Sequence, residues 1–180
     1  GSEKKGLPTT YFLTVANHHI RAHSELKYVD FVPLNSSSAF HLGNPLDGLS
    51  PNGTLFLHHE SSDPAQVWAS IPPFAQGIIR KKHIRVLSLD AVKIAEEVAS
   101  RRELAQRMQG IVLLGIFLRV VPFVKQKRLS EDGLFGAVGK SLHKFFGKRG
   151  EDVVQDNLRA TKRGYEEVFE VPRTMMAVAA

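Results

Sequence analysis

The chain of 180 residues contains no cysteine. Without a thiol group it forms no disulfide bond, and it offers no thiolate ligand to zinc or to an iron–sulfur cluster. Its longest uncharged apolar run, IVLLGIFL at residues 111–118, is far shorter than the roughly 20 residues that a membrane-spanning helix needs. We interpret this run as part of a buried helix. No secretory signal segment is visible either, and these absences together predict a cytoplasmic protein without a membrane partner.

Acidic residues are outnumbered: 24 basic residues against 18 acidic ones give a net charge of +6. Such a charge favours an anionic partner, whether nucleic acid, an acidic protein or a phosphorylated cofactor. The basic residues lie in short clusters without the interleaved aromatic residues typical of single-strand binding, so we predict no nucleic-acid partner. The main clusters are Lys4-Lys5, Arg80-Lys81-Lys82, Lys125 to Arg128, and Lys148-Arg149.

The first half of the chain alternates strand-like segments with turns and helix starts. Asp63-Pro64 is typical of a helix start, since aspartate caps and proline suits the first helical position; this helix ends before Pro72. Asp90 caps a second helix whose apolar residues share one face. The predicted strands are rich in β-branched and aromatic residues: TTYFLTVA (9–16), LKYVDFVPL (26–34), TLFLHHE (54–60) and HIRVLSL (83–89).

Helices dominate the second half. The predicted helices are an apolar stripe from Leu104 to Leu118, a helix from Ser130 to Gly147 carrying Leu134, Val138, Leu142 and Phe145, and a last helix over 151–168. Gly110 and Gly115 are expected to let another backbone approach the first of these. Residues 173–180 are expected to form a poorly ordered tail. The pattern predicts an α/β fold with a mostly parallel sheet, helices packed against it and a C-terminal helical part.

Three motifs could carry chemistry. His58 and His59 end a predicted strand, where neighbouring side chains point to opposite faces, so we predict no metal site there. Ser36, Ser37 and Ser38 follow a strand and are interpreted as a helix cap, although their backbone amides could instead hold an anion. No acid–base pair stands out, and we predict no catalytic residue.

The stretch GKRGED at residues 147–152 places two cations between glycines. It does not match the phosphate loop G-x-x-x-x-G-K-[ST], and it lies between helices rather than after a strand. Each charge suits a helix–turn–helix corner, with cations at the end of one helix and carboxylates at the start of the next. We predict a corner, with an anion site as the alternative.

The stretch FFGKRGEDVVQDNLRATKRGYEEVFEV (145–171) resembles the closing segment of the gamma domain of 2-oxoacid:ferredoxin oxidoreductases, the pyruvate:ferredoxin enzymes among them. That segment typically reads YGKKGEKVVEMN, followed by R-G one helix later. Five other stretches resemble the family in the same order: the loop and strand at 3–16 and the segments at 29–32, 49–54, 89–95 and 108–115. The resemblance covers about Lys4 to Val171.

The resemblance implies a Rossmann-like three-layer sandwich that forms a non-catalytic gamma domain over residues 4–172. Residues 1–3 are expected to be a cloning remnant, and residues 173–180 a tail. Such enzymes decarboxylate a 2-oxoacid oxidatively on thiamine diphosphate, pass electrons through iron–sulfur clusters to ferredoxin, and release an acyl-CoA. Thiamine diphosphate and the clusters belong to partner domains or subunits of the same enzyme, through which ferredoxin is also engaged. Coenzyme A is the co-substrate, and the gamma domain helps to cover it. Lys4 and Lys5 are the residues expected to contact CoA phosphates, which suit flexible ammonium groups.

One departure concerns the family's first strand–helix unit of the G-x-G-G type, which this sequence does not contain. A neighbouring strand is then expected to keep an open edge, so exposed apolar surface and self-association, including a homo-oligomer, are predicted. The lysine loop also reads K-K-G-L-P rather than K-K-S-G-G. Two alternatives stay open: a CoA- or nucleotide-binding Rossmann-like module of another complex, and a basic nucleic-acid-associated protein.

Overall fold

The computed structural model describes residues 11–16, 18–21 and 24–177, without the side chain of Phe123. The strands are β1 (Val29–Leu34), β2 (Leu49–His58), β3 (Arg85–Leu89) and β4 (Phe169–Glu170). The α-helices are α1 (Pro64–Ala69), α2 (Pro73–Lys82), α3 (Ala91–Val98), α4 (Ala105–Val120), α5 (Phe123–Gln126), α6 (Glu131–Phe146) and α7 (Glu151–Glu167). Short 3₁₀ helices cover Ser37–His41, Arg102–Leu104, Gly147–Arg149 and Arg173–Met176.

A four-stranded sheet divides the core into two faces. Its order is β1-β2-β3-β4, with the first three strands parallel and β4 antiparallel to β3. Leu55 and Leu57 of β2 pack with α1 and α2, whereas Phe56 between them packs with α3, α4 and α7. This alternation follows from the two-residue period of a strand. The predicted α/β fold, with helices on both faces of a mostly parallel sheet, is confirmed.

A third apolar cluster attaches α6 to the outside of this sandwich. Leu134 and Phe135 of α6 pack there against Leu118 of α4 and Tyr165 of α7. The Phe135 and Tyr165 rings meet edge to face, with centroids 5.4 Å apart. Within the helical C-terminal part predicted from the sequence, α6 therefore forms a further layer over α4 and α7.

Local chemistry accounts for three helix starts. Asp63 Oδ1 accepts from the Ala65 amide at 3.0 Å, and Asp90 Oδ1 accepts from the Lys93 amide at 2.9 Å. Ser130 Oγ likewise accepts from the Gly133 amide at 3.1 Å. Each bond satisfies one of the amides that the first turn of a helix leaves without an intrahelical partner. The predicted caps are confirmed.

Two expectations were wrong, and one helix was not predicted. Residues 11–16 of the predicted first strand form no strand, because a strand is stable only when a neighbour pairs with it. The helix α1 ends before Pro72, as predicted, but Pro73 also starts the unpredicted α2, since proline suits a first helical position. After Pro172, a 3₁₀ turn places Met176 in the core at 6% exposure instead of leaving it in a loose tail.

Two glycines bring α4 and α7 into backbone contact. A Cβ on Gly115 would overlap the Thr161 carbonyl oxygen and lie 2.8 Å from the Tyr165 amide nitrogen. A Cβ on Gly164 would overlap the Val112 carbonyl oxygen in return. The close approach predicted for Gly115 is confirmed, but the same expectation was wrong for Gly110, which has nothing within 4 Å of a Cβ.

Within the part of the chain that the structure describes, none of the helices combines the length and the apolar character needed to traverse a bilayer.

Candidate functional site

The carboxyl ends of β1, β2 and β3 meet at one edge of the sheet, because the three strands are parallel. In open α/β sheets, ligands bind outside this edge. The chain places two candidate segments there, Ser36–Ser38 after β1 and His58–His59 after β2, together with Asp90 after β3. The structure thus brings the serines and histidines singled out from the sequence to the same edge.

The three serines form a helix cap. Ser36 Oγ accepts from the Ser38 amide at 3.2 Å and lies 2.7 Å from Ser38 Oγ. All three residues are exposed at the start of the 3₁₀ helix. The capping interpretation matches this geometry. Since the Ser38 amide already has an acceptor, an incoming anion would have to displace the Ser36 hydroxyl to use it.

The two histidines accept hydrogen bonds from nearby backbone amides. His58 Nδ1 accepts from the Ala91 amide at 3.3 Å, and His59 Nδ1 accepts from the Ser61 amide at 3.0 Å. In each neutral ring the proton therefore lies on Nε2, which is left as a donor. Among the described residues, no group of three histidine, aspartate or glutamate side chains is placed to bind a metal ion. The edge can offer hydrogen-bond donors to an anionic or carbonyl group.

The GKRGED segment is a corner between α6 and α7, as predicted. Gly147–Arg149 forms a 3₁₀ turn, and Gly150 has a φ of 116°, a conformation that glycine adopts most readily. A Cβ at Gly150 would also overlap Asp152 Oδ1. Arg101 Nη2 donates to Asp152 Oδ2 at 2.9 Å, and this hydrogen bond holds the pKa of the Asp152 carboxyl below its ordinary value.

A buried carboxylate that sequence reasoning missed anchors the end of α3. Asp156 is 1% exposed, and its Oδ2 accepts from the Ser100 amide at 2.8 Å and from Ser100 Oγ at 2.5 Å. Arg159 donates to the other oxygen and reaches the Val98 carbonyl oxygen at 3.4 Å. The one available signal was an acidic residue on the apolar side of a predicted helix.

A small cleft of about 170 Å³ lies between the end of α2 and the 3₁₀ turn at 173–176. Its cationic and titratable lining comes from Arg80, His83 and Arg173, and Met176 contributes to its apolar part. Arg80 also stacks over the Trp68 ring at 5.7 Å and donates to the Met176 carbonyl oxygen at 3.4 Å. These two contacts fix the position of the Arg80 side chain. We therefore interpret the cleft as a gap between packed elements and not as a binding site.

Lys4 and Lys5 lie outside the described residues. The structure therefore does not place them relative to the sheet edge or to Ser36–Ser38. Their role as CoA contacts stays a prediction from the sequence.

Comparison with known proteins gives matches over nearly the whole chain. A family model described as "Pyruvate ferredoxin/flavodoxin oxidoreductase" matches residues 1–167. The chain is 28% identical over 171 residues to the "Probable pyruvate-flavodoxin oxidoreductase" of Escherichia coli K12. It is 24% identical over 172 residues to the pyruvate:ferredoxin oxidoreductase of Moorella thermoacetica. These matches cover 95% and 94% of this chain, but the chain spans only 14% of the length of each of those proteins.

A separate subunit provides a match of more similar length. The chain is 27% identical over 174 residues to pyruvate synthase subunit PorC of Thermotoga maritima, covering 93% of this chain and 75% of that subunit. The crystal structure of pyruvate oxidoreductase subunit PORC from the same organism aligns with a TM-score of 0.51 at 22% identity. That alignment covers 82% of this chain and 67% of the PORC chain, and it shows a shared fold.

Proposed function

The chain belongs to the pyruvate ferredoxin/flavodoxin oxidoreductase family, and we propose that it serves as the gamma-type domain of a 2-oxoacid oxidoreductase. The family membership that the sequence motifs indicated is thereby confirmed. In this proposal the chain does not carry out the chemistry itself. It completes an enzyme whose thiamine diphosphate and iron–sulfur clusters are held by partner domains or subunits, and it helps to cover coenzyme A.

One observation carries the proposal. The same sequence corresponds to most of a separate subunit, PorC, and to a 14% portion of much longer oxidoreductase chains. A module that occurs both alone and fused is expected to act next to the other modules rather than independently of them. The chain's own residues are compatible with that role, since it has no cysteine with which to hold a cluster.

Coenzyme A contact is the finer part of the proposal. Lys4 and Lys5 are proposed to bind its phosphates as flexible point charges. The exposed Ser36–Ser38 turn is proposed as a second anion contact, in which the Ser36 hydroxyl gives up the Ser38 amide to the ligand. The Nε2–H group of His58, at the end of the neighbouring strand, is proposed as a further donor to the ligand.

The decisive experiment reconstitutes this chain with the polypeptides that carry the other oxidoreductase domains. We expect no 2-oxoacid oxidation from the chain alone, even with thiamine diphosphate and CoA present, and turnover when the partners are added. Turnover by the isolated chain would overturn the non-catalytic assignment. A complete lack of assembly with those partners would overturn the proposed function as a whole.

The CoA contact is tested in the assembled enzyme. CoA is expected to raise the Tm of the wild-type assembly, and the variant Lys4→Ala/Lys5→Ala is expected to raise the KM for CoA while the KM for the 2-oxoacid stays constant. The matched control is Lys81→Ala/Lys93→Ala, which removes two lysines elsewhere. An unchanged KM for CoA in the first variant would exclude Lys4 and Lys5 as contacts.

A further inference from the structure

The whole net charge of the chain resides in one segment. Residues 119–149 contain eight of the 24 basic residues and two of the 18 acidic ones, so they carry +6 and the rest of the chain is neutral. This segment runs from the end of α4 through α5 and α6 to the following 3₁₀ turn. None of its five lysines forms an ion pair with another described residue. An acidic surface elsewhere on the described chain therefore does not neutralise it.

An exposed aromatic ring lies among these lysines. Phe145 is 74% exposed near the end of α6, next to Lys144 and one helical turn from Ser141 and Lys148. Sequence reasoning grouped Phe145 with Leu134 and Leu142, but only the two leucines are buried. Aromatic side chains that become buried in a complex contribute strongly to the energy of protein interfaces, so Phe145 among these cations is suited to anchor a partner.

We propose that the outer face of α6 is the surface by which the chain docks on an acidic protein surface of its partner polypeptides. We define this α6 face by Ala137, Lys140, Lys144, Phe145 and Lys148, all of which are exposed. The inference rests on the proposed function, since it names the surface through which that assembly forms. The partner supplies carboxylates to the lysines and an apolar recess to Phe145.

The composition of the α6 face favours a protein over other polyanions. A membrane-bound helix buries a continuous apolar face, whereas Phe145 is the single large apolar residue of the α6 face. Non-specific single-strand binding needs several aromatic rings on which successive bases stack. One anchor ring with surrounding cations instead matches a protein interface with a polar rim.

The test measures affinity between this chain and the polypeptides that carry the other oxidoreductase domains. Lys140→Glu/Lys144→Glu and, separately, Phe145→Ser are each expected to raise the Kd by about tenfold or more. The control Lys81→Glu/Lys93→Glu makes the same charge change on α2 and α3 and is expected to leave the Kd within about twofold. The lysine variant should also lose much of the salt dependence of binding.

Equal affinity for wild type and all α6 variants would overturn the α6 face while leaving the proposed function standing. Failure of the wild type to assemble at all would overturn both. Tight binding to duplex DNA, or to phosphatidylserine vesicles, that depends on Lys140 and Lys144 while the protein complex does not, would overturn an acidic protein as the partner.

Discussion

Gly115 and Gly164 set the distance between α4 and α7, and each is opposed by rigid backbone rather than by a side chain that could rotate away. Gly115→Ala is therefore expected to force the two helices apart and to cost about 2 kcal/mol or more. For a chain of this size the Tm should fall by roughly 5 °C. Urea unfolding followed by circular dichroism measures the loss.

The control for that substitution lies on the same helix. Gly110→Ala adds the same methyl group where a Cβ meets nothing within 4 Å, so it is expected to stabilise the chain by about 0.5–1 kcal/mol through helix propensity. Equal effects of the two substitutions would show that propensity, and not the crossing of α4 and α7, decides the role of Gly115.

Asp156 makes a second prediction at the residue scale. Asp156→Ala would leave the Ser100 amide and hydroxyl without their acceptor, and losing an acceptor from buried donors costs about 1–3 kcal/mol. Asp156→Asn keeps one acceptor oxygen and is expected to cost less. Urea unfolding of both variants checks the order, and an alanine variant as stable as wild type would contradict it.

Ion pairs tie α3 and the loop after it to α7. Arg163 Nη1 donates to Glu97 Oε2 at 2.7 Å, and Arg101 contacts Asp152. The hydrogen bond from Arg163 lowers the pKa of Glu97, just as that from Arg101 lowers the pKa of Asp152. A carboxyl whose pKa is lower in the folded state adds stability above its unfolded pKa and loses that contribution as the pH falls through the folded value.

Acidification should therefore weaken the wild type more than a variant without these pairs. Between about pH 5 and pH 3, Arg101→Gln/Arg163→Gln is expected to lose less stability than wild type, so that the two stability curves converge in acid. Arg102→Gln/Arg107→Gln removes two arginines that form no ion pair with a described residue and should follow the wild-type curve. Parallel curves for wild type and the first variant would contradict this assignment.

Helices whose starts are specified by local sequence could be predicted, whereas strands that depend on pairing with a distant segment of the chain could not. Asp63 and Asp90 predict the starts of their helices, because a capping side chain bonds an amide within three residues of it. Residues 11–16 have strand propensity but form no strand, since pairing depends on a neighbour that no local pattern specifies. The same limit applies to β4, a two-residue strand that exists only because β3 lies beside it.

The candidate site divides in the same way. The serines after β1 and the histidines after β2 could be placed at one edge, because a parallel sheet gathers the ends of its strands. Asp156 could not be paired with Ser100 from the sequence, since their contact depends on how α7 packs on α3. The exposure of Phe145 was missed because the apolar pattern of α6 continues to the end of the helix, where the helix no longer packs against the core.

At the scale of the whole molecule, β1 is an edge strand: among the described residues it pairs only with β2. The backbone groups along its outer side are therefore unpaired. The apolar side chains of Tyr11, Leu13 and Val15 are 84%, 56% and 60% exposed. Unpaired edges and exposed segments of strand-like sequence promote association. We expect concentration-dependent self-association in sedimentation velocity, reduced in Tyr11→Ser/Leu13→Ser/Val15→Ser.

Leu42→Ser is the control for that experiment, since it removes another exposed leucine from a different segment. Its self-association should match that of wild type. A wild-type chain that stays monomeric at high concentration would show that the open edge is protected, for which the exposed Asp30 and Pro33 of β1 are suitable residues.

The opposite side of the sheet, beyond β3, is covered by the last residues of the described chain. The Val171 amide donates to the Val86 carbonyl oxygen at 2.9 Å, and Val171 and Met176 are buried with Leu55 and Leu57. During translation these residues leave the ribosome after the strands that they cover. A nascent chain that has emerged only as far as α7 therefore exposes the part of the core around Leu55 and Leu57 that Val171 and Met176 will cover, together with the unpaired backbone of β3.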